Sequence, residues 1–253
     1  VPGPVALPGP AGTTEPPAGP AKPDAALAAV GIREVADPDG TRRLDASGLV
    51  AEMLRRWSAV RDYTCKTEKR EWVGGGLERL PHEMDEFVRL SPLSLHLLWT
   101  GEVNRGRHAL WVEGKHGGKM MIHPNPIFGI GTMRIDPGNS LTRTQSKYDF
   151  RDAGLQGMMK ALPKSLRPGG TTWTYLGEGE AFGRPTWRLR GTDPTDDPLE
   201  HNLIEMHVDR EWLLPVHFVG RNREGRINIA VSFRDIRTDV GLTDADFDPD
   251  RLW

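Results

Sequence analysis

One cysteine, Cys65, stands in the whole sequence, so no disulfide can form within the chain. That excludes the disulfide-stapled scaffolds and the cysteine-rich zinc modules. Charge of one sign is missing too: 33 Lys and Arg face 35 Asp and Glu, a formal net charge of -2. The electrostatic case for a nucleic-acid partner is therefore absent. No run approaches the roughly 18 consecutive apolar residues of a membrane-spanning helix, and the mean hydropathy is -0.50.

Catalytic and metal signatures are lacking as well. There is no GxSxG, no P-loop and no HExxH. The histidines at 82, 96, 108, 116, 123, 201, 207 and 217 show no ligand spacing. Asp193, Asp196, Asp197 and Glu200 cluster, but without the glycine and spacing of a calcium-binding loop. Gly177, Gly179 and Gly183 approach GxGxxG, yet they lie between strand patterns and read as a hairpin turn. The expectation is no catalytic residue, no metal and no cofactor.

What is abundant is alternation. Trp187, Leu189 and Gly191 alternate with arginines; Ile204, Met206 and Val208 alternate with Glu205, His207 and Asp209; Ile227, Ile229, Val231 and Phe233 form a third such run. A period of two marks a strand with one buried and one wet face. Further strand patterns fall at Tyr63–Val73, Glu83–Leu90, Leu93–Thr100, Arg107–Glu113, Lys119–His123, Met133–Ile135 and Thr171–Leu176, and Leu214–Asn222 lies between the second and third runs. The turn after Thr171–Leu176 is placed at Gly177–Gly183.

Two stretches have helical spacing instead. Leu49, Val50, Met53, Leu54, Trp57 and Val60 predict a helix over about Asp45–Val60, capped by Asp45 or Ser47. Leu155, Met158, Met159 and Leu162 predict a second over about Asp152–Leu162, stopped by Pro163. Residues 1–23 hold eight prolines and almost no large apolar side chains, so 1–40 reads as a disordered Pro/Ala/Gly-rich linker and 41–253 as one folded domain. The chain begins at Val1 rather than Met, which is read as a removed signal peptide or lipoprotein leader, with a truncated start as the alternative.

Some segments carry a resemblance. Val112-Glu113-Gly114 followed by Gly118-Lys119, Gly131-Thr132-Met133-Arg134-Ile135-Asp136-Pro137, the terminal Asp239-Val240-Gly241-Leu242-Thr243-Asp244-Ala245-Asp246-Phe247-Asp248-Pro249, and Tyr63-Thr64-Cys65 resemble a family of exported bacterial proteins known as domain of unknown function 1571. That family in turn is similar to the LolA-like lipoprotein-carrier superfamily. The resemblance implies an α+β fold: a strongly curved antiparallel sheet, a half-open barrel of about ten strands, with two main helices over its concave face.

It also implies a location in the cell envelope and a non-catalytic role, the binding of a lipid or of lipoprotein acyl chains. The rival readings are a protein-interaction or sensor module without lipid cargo, and an enzyme acting on envelope lipids or glycans. A Pro-rich linker would allow peripheral or anchored membrane association. The residues expected to wall a vacant hollow are Leu97, Trp99, Trp187, Leu189, Ile204 and Met206. Phe218, Ile229, Val231 and Phe233 continue that wall, with Met158 and Met159 contributed by a helical lid. The same alternation also fits a sheet whose concave side is filled by the protein itself.

Overall fold

The computed structural model describes residues 34–36, 42–73, 75–124, 131–139, 146–194 and 201–253. The Asp37–Gly40 turn, the Asn125–Gly131 loop apart from Gly131, the Asp196, Asp197 and Glu200 cluster and nearly all of the linker lie outside those residues. Within the stretch read as linker, β1 (Glu34–Ala36) pairs with β2 (Arg42–Leu44).

The remaining strands are β3 (Asp62–Val73), β4 (Gly76–Leu77), β5 (His82–Leu90), β6 (Leu93–Trp99), β7 (His108–Val112), β8 (Met120–His123) and β9 (Met133–Ile135), then β10 (Thr172–Ala181), β11 (Arg184–Thr192), β12 (Leu203–Asp209), β13 (Pro215–Arg221) and β14 (Ile227–Thr238). They form one 12-stranded sheet in the order β10-β11-β12-β13-β14-β3-β5-β6-β7-β8-β9, with β4 added beside β3. The pairings along that path are antiparallel. The sheet is open, with β10 and β9 at its edges. The sequence reading of about ten strands is close; β4 is a two-residue addition that no periodicity could announce.

Helix α1 (Ala46–Trp57) starts where expected, because the Asp45 carboxylate accepts from Gly48 N–H at 2.9 Å. Helix α2 (Gly154–Ala161) gives way to a 3-10 turn over Leu162–Leu166. A short α3 (Pro249–Leu252) closes the described chain. Among the described residues, no helix is long and apolar enough to cross a membrane.

The helices reveal the curvature. Helix α1 packs on β10 and on the Leu162–Leu166 turn, while α2 packs on that same turn and on β5. In a flat sheet β10 and β5 would lie roughly 30 Å apart, six strand spacings of about 4.8 Å. Two helices side by side span only about 20 Å, so the sheet bends around them.

One turn differs from the sequence reading. The strand β10 runs through Gly177 and Gly179 to Ala181, and the chain reverses at Phe182–Gly183. A register shift between Tyr175 and Gly177 absorbs the glycines, and Gly177 adopts a φ of 106°. Such a backbone is a bulge rather than a turn, and glycine takes it without steric penalty.

Candidate functional site

Strand register builds the concave face row by row. Tyr175 opposes Leu189, which opposes Met206, then Phe218, then Val231 and Lys69. A second row runs from Phe233 through Thr67 and Met84 to Trp99. A third takes Cys65, Glu86, Leu97, Ala109 and Ile122. Directly opposed residues share a face, so all of these project toward the helices.

The structure brings eleven of the twelve expected wall residues into one apolar cluster. Met159, Trp187, Leu189, Met206, Phe218, Val231 and Phe233 are buried in it, and Trp99, Met158, Ile204 and Ile229 pack against it half-buried. Leu97 is buried beside Glu86 and Ala109, outside that cluster. The expected hollow is occupied by the protein in this conformation. Leu189, Met206, Leu49, Met53 and Leu155 have 0% of their surface accessible, so no water-sized space adjoins them. Helix α1 supplies Leu49, Val50 and Met53 to this packing, and α2 supplies Leu155 and Met159.

Open space lies elsewhere. A cleft of about 380 Å³ is bordered by Trp57, Val60, Trp212, Leu214, Ile236 and Asp239 among others. A second, about 370 Å³, is bordered by Phe182, Arg184, Trp212, Phe233, Arg234 and Ile236 among others. Of the expected wall residues, Phe233 alone borders either cleft. Both volumes sit at the low end of the roughly 300–1,000 Å³ of small-molecule sites.

The concave face also carries charged and polar groups that sequence reasoning missed. Glu86, 1% exposed, accepts from Thr67 Oγ1 at 2.7 Å, Tyr63 Oη at 3.1 Å and, through Leu155 N–H at 3.4 Å, from the start of α2. Gln156 N–H donates in turn to Tyr63 Oη at 3.0 Å. Burial pushes the Glu86 carboxyl up despite these donors. Burial, and then the neighbouring Glu86, push the Tyr63 hydroxyl and the Cys65 thiol well up, so Cys65 is an unreactive thiol.

A few residues away Glu71, 0% exposed, accepts from Lys69 Nζ at 2.8 Å, Ser146 Oγ at 2.8 Å and Lys147 N–H at 2.7 Å. Next to it Trp99 Nε1–H donates to His82 Nδ1 at 3.1 Å, which leaves the proton on His82 Nε2, 2.9 Å from Glu78. Burial opposes the Glu78 charge, but His82 and the Glu71 N–H outweigh it and hold this carboxyl below its ordinary range. Both nitrogens of His82 are thus engaged by protein.

Among the described residues, no group of three or more His, Cys, Asp or Glu is arranged to hold a metal ion. The arrangement offers a broad apolar surface, two short covering helices and buried carboxylates gripping the covering segment. The available signal was that Thr67, Lys69 and Glu71 share the Tyr63 and Cys65 register of β3, a polar run on the face turned inward.

No curated protein sequence matches the chain. Among solved structures, the lipoprotein LppX of Mycobacterium tuberculosis is 13% identical, with 78% of this chain and 97% of that one covered and a TM-score of 0.49. A putative outer membrane lipoprotein-sorting protein domain from Vibrio parahaemolyticus is 12% identical over 82% of this chain and 97% of that one, TM-score 0.40. The Pseudomonas aeruginosa MucA/MucB complex gives 14% identity over 83% of this chain and 60% of that one, TM-score 0.45. The open antiparallel sheet with helices on its concave face is the arrangement that the sequence resemblance implied. The sequence model of a family described as "Protein of unknown function (DUF1571)" matches residues 60–251. With most of its length inside that match, the chain belongs to the DUF1571 family.

Proposed function

We propose that the protein is a non-catalytic binder of a hydrophobic ligand, a lipid or the acyl chains of a lipidated protein, in the bacterial cell envelope. The observation that supports this most is the concave apolar surface, continuous from Trp187 to Phe233 and covered by helices of only 12 and 8 residues. A ligand enters when α2 lifts off β5 and an alkyl chain lies along the uncovered concave face, walled by Leu97, Trp99, Met206, Phe218 and Val231, with Met158 and Met159 adapting around it. The Pro-rich residues before the domain serve as the tether that keeps it near a membrane.

Magnitudes set the ligand size. Undocking Leu155, Met159 and Leu162 costs about 1.5–3 kcal/mol each, roughly 5–9 kcal/mol in all. A chain of 14–16 carbons recovers about 11–13 kcal/mol at ~0.8 kcal/mol per buried CH₂, whereas one of about eight carbons recovers only ~6 kcal/mol. The reading thus predicts a length threshold. Native mass spectrometry of gently purified protein, with uptake of a fluorescent long-chain fatty acid and of its short-chain analogue, tests it. Bound lipid or long-chain uptake is expected, and lipid-free protein that takes up neither chain overturns the reading.

A second reading, a protein-interaction or sensor module, draws on the positions of the two clefts, which flank Trp212 and Ile236 rather than lying under α2. It predicts that substitutions at Trp212 abolish partner capture and that no acyl chain is bound.

A further inference from the structure

The convex face has its own covering. Residues after β14 cross back over β5–β8, and Leu242, Phe247, Leu252 and Trp253 pack on Leu110, Val112 and Met121. The start of this strap is held by charge: Asp244 lies 2.8 Å from Arg89 and 2.9 Å from Lys115. Its last residue rests on imidazoles. Trp253 stacks on His123 at 5.2 Å and meets His108 edge-on at 5.5 Å, while His108 stacks on His96 at 5.2 Å and His96 on Phe87 at 5.3 Å. His96 Nε2 and His108 Nδ1 share a hydrogen bond of 3.0 Å.

That bond needs one ring nitrogen to donate and the other to accept. A protonated imidazole has only donors. A first proton sets an uncompensated charge on a ring that is 4% exposed, and a second leaves two donors facing each other. We infer that residues 242–253 form an acid-released strap, which the neutral His96–His108 pair holds in place and which uncovers Leu110, Val112 and Met121 when that pair is protonated.

Asp85 shares the row of His108 but stands beyond Leu98, and the other charged neighbours do not offset the added protons. Arg89 and Lys115 are cations already paired with Asp244. Asp246 is bound to Thr243, and Asp248 faces His116, which also feels Arg134 and Lys115. Asp250 and Arg251 belong to the exposed last turn of the strap. Burial, then the adjacent His108, pushes the His96 ring down to about 4, and burial followed by His123 lowers His108. A base whose folded value is depressed stabilises the docked state fully above its ordinary value of 6.5 and progressively less as pH falls toward 4.

Hydrogen exchange read by mass spectrometry on the full chain at about pH 7.5 and about pH 5, corrected for intrinsic exchange, tests the inference. For His96 alone, linkage allows the strap opening constant to rise by up to roughly 30-fold between those values. The expected result is a rise of at least about tenfold in residues 242–253, with β5–β8 remaining protected. The double substitution His96→Gln and His108→Asn keeps side-chain nitrogens near the two positions but does not titrate, so its strap should respond less than about twofold. In the wild-type chain, NMR titration of the His96 and His108 rings should follow the same midpoint as strap opening. Equal strap protection at both pH values, loosening of the whole sheet together, an unchanged response in the double variant, or a midpoint that departs from the imidazoles would each overturn it.

Discussion

The two helices on the concave face cover the same sheet by different means. Helix α1 contributes Leu49, Val50 and Met53, each with 0% of its surface accessible, and its side-chain polar contacts are local, the Asp45 cap and the Glu52–arginine pairs. Helix α2 buries Leu155 and Met159, but its first turn also meets Glu86 and Tyr63 through Leu155 and Gln156 N–H. The segment before it is tied to Glu71 through Ser146 and Lys147. The hydrophobic drive is non-directional, whereas a carboxylate gripping backbone N–H groups sets one position. The difference marks α1 as held by packing alone and α2, with residues 146–153, as held by packing and by buried polar groups together, and on the proposed function α2 is the element that lifts.

Four substitutions can break or sharpen that comparison. Leu49→Ala removes a fully buried side chain from α1 and should cost about 2–5 kcal/mol in urea or thermal unfolding, lowering protection throughout the sheet. A loss confined to α1 would mean that α1 is also separable. Gly154→Ala should cost about 1–3 kcal/mol. Gly154 has a φ of 69°, and an added Cβ would stand 2.2 Å from a Glu86 carboxylate oxygen. Hydrogen exchange should show that loss concentrated in residues 146–162.

Glu86→Gln should loosen the same segment by about 1–2 kcal/mol near pH 5, because the amide can turn a donor toward Leu155 N–H. The sign reverses the histidine case. A carboxyl raised by burial stabilises most below its ordinary 4.5 and loses that contribution as pH rises through its folded value. Urea titrations at several pH values should therefore show the variant gaining on the wild type as pH rises, and a constant difference would refute the buried-charge account. Ser146→Ala is the mildest, about 0.5–1.5 kcal/mol, since Glu71 keeps Lys147 N–H and Lys69. Its effect should stop at residues 146–153, the segment before α2.

Much of the scaffold was legible in residue order. The spacing of Leu49, Val50 and Met53 and the Asp45 cap located α1 to within a few residues, because both signals are local. The runs around Leu189, Met206 and Val231 placed their inward faces correctly for the same reason. Glycines at 177 and 179 misplaced a turn, since a bulge and a hairpin draw on the same residue type. Glu86 and Glu71 stayed hidden. Their partners, Leu155 for Glu86 and Ser146 and Lys147 for Glu71, lie roughly 70 to 75 positions away, and no window along the chain contains both ends of such a contact.

Residue order by itself determined which faces are apolar and where helices and strands begin, because those follow from side-chain period and local capping. Tertiary structure alone decided that α1 and α2 fill the concave side, that two carboxylates hold the second of them, and that four aromatic and aliphatic side chains after β14 cover the convex side. Packing against a bent sheet brings together residues from distant positions, and the resulting burial, rather than residue type, gives Glu86 and His96 their altered charge behaviour.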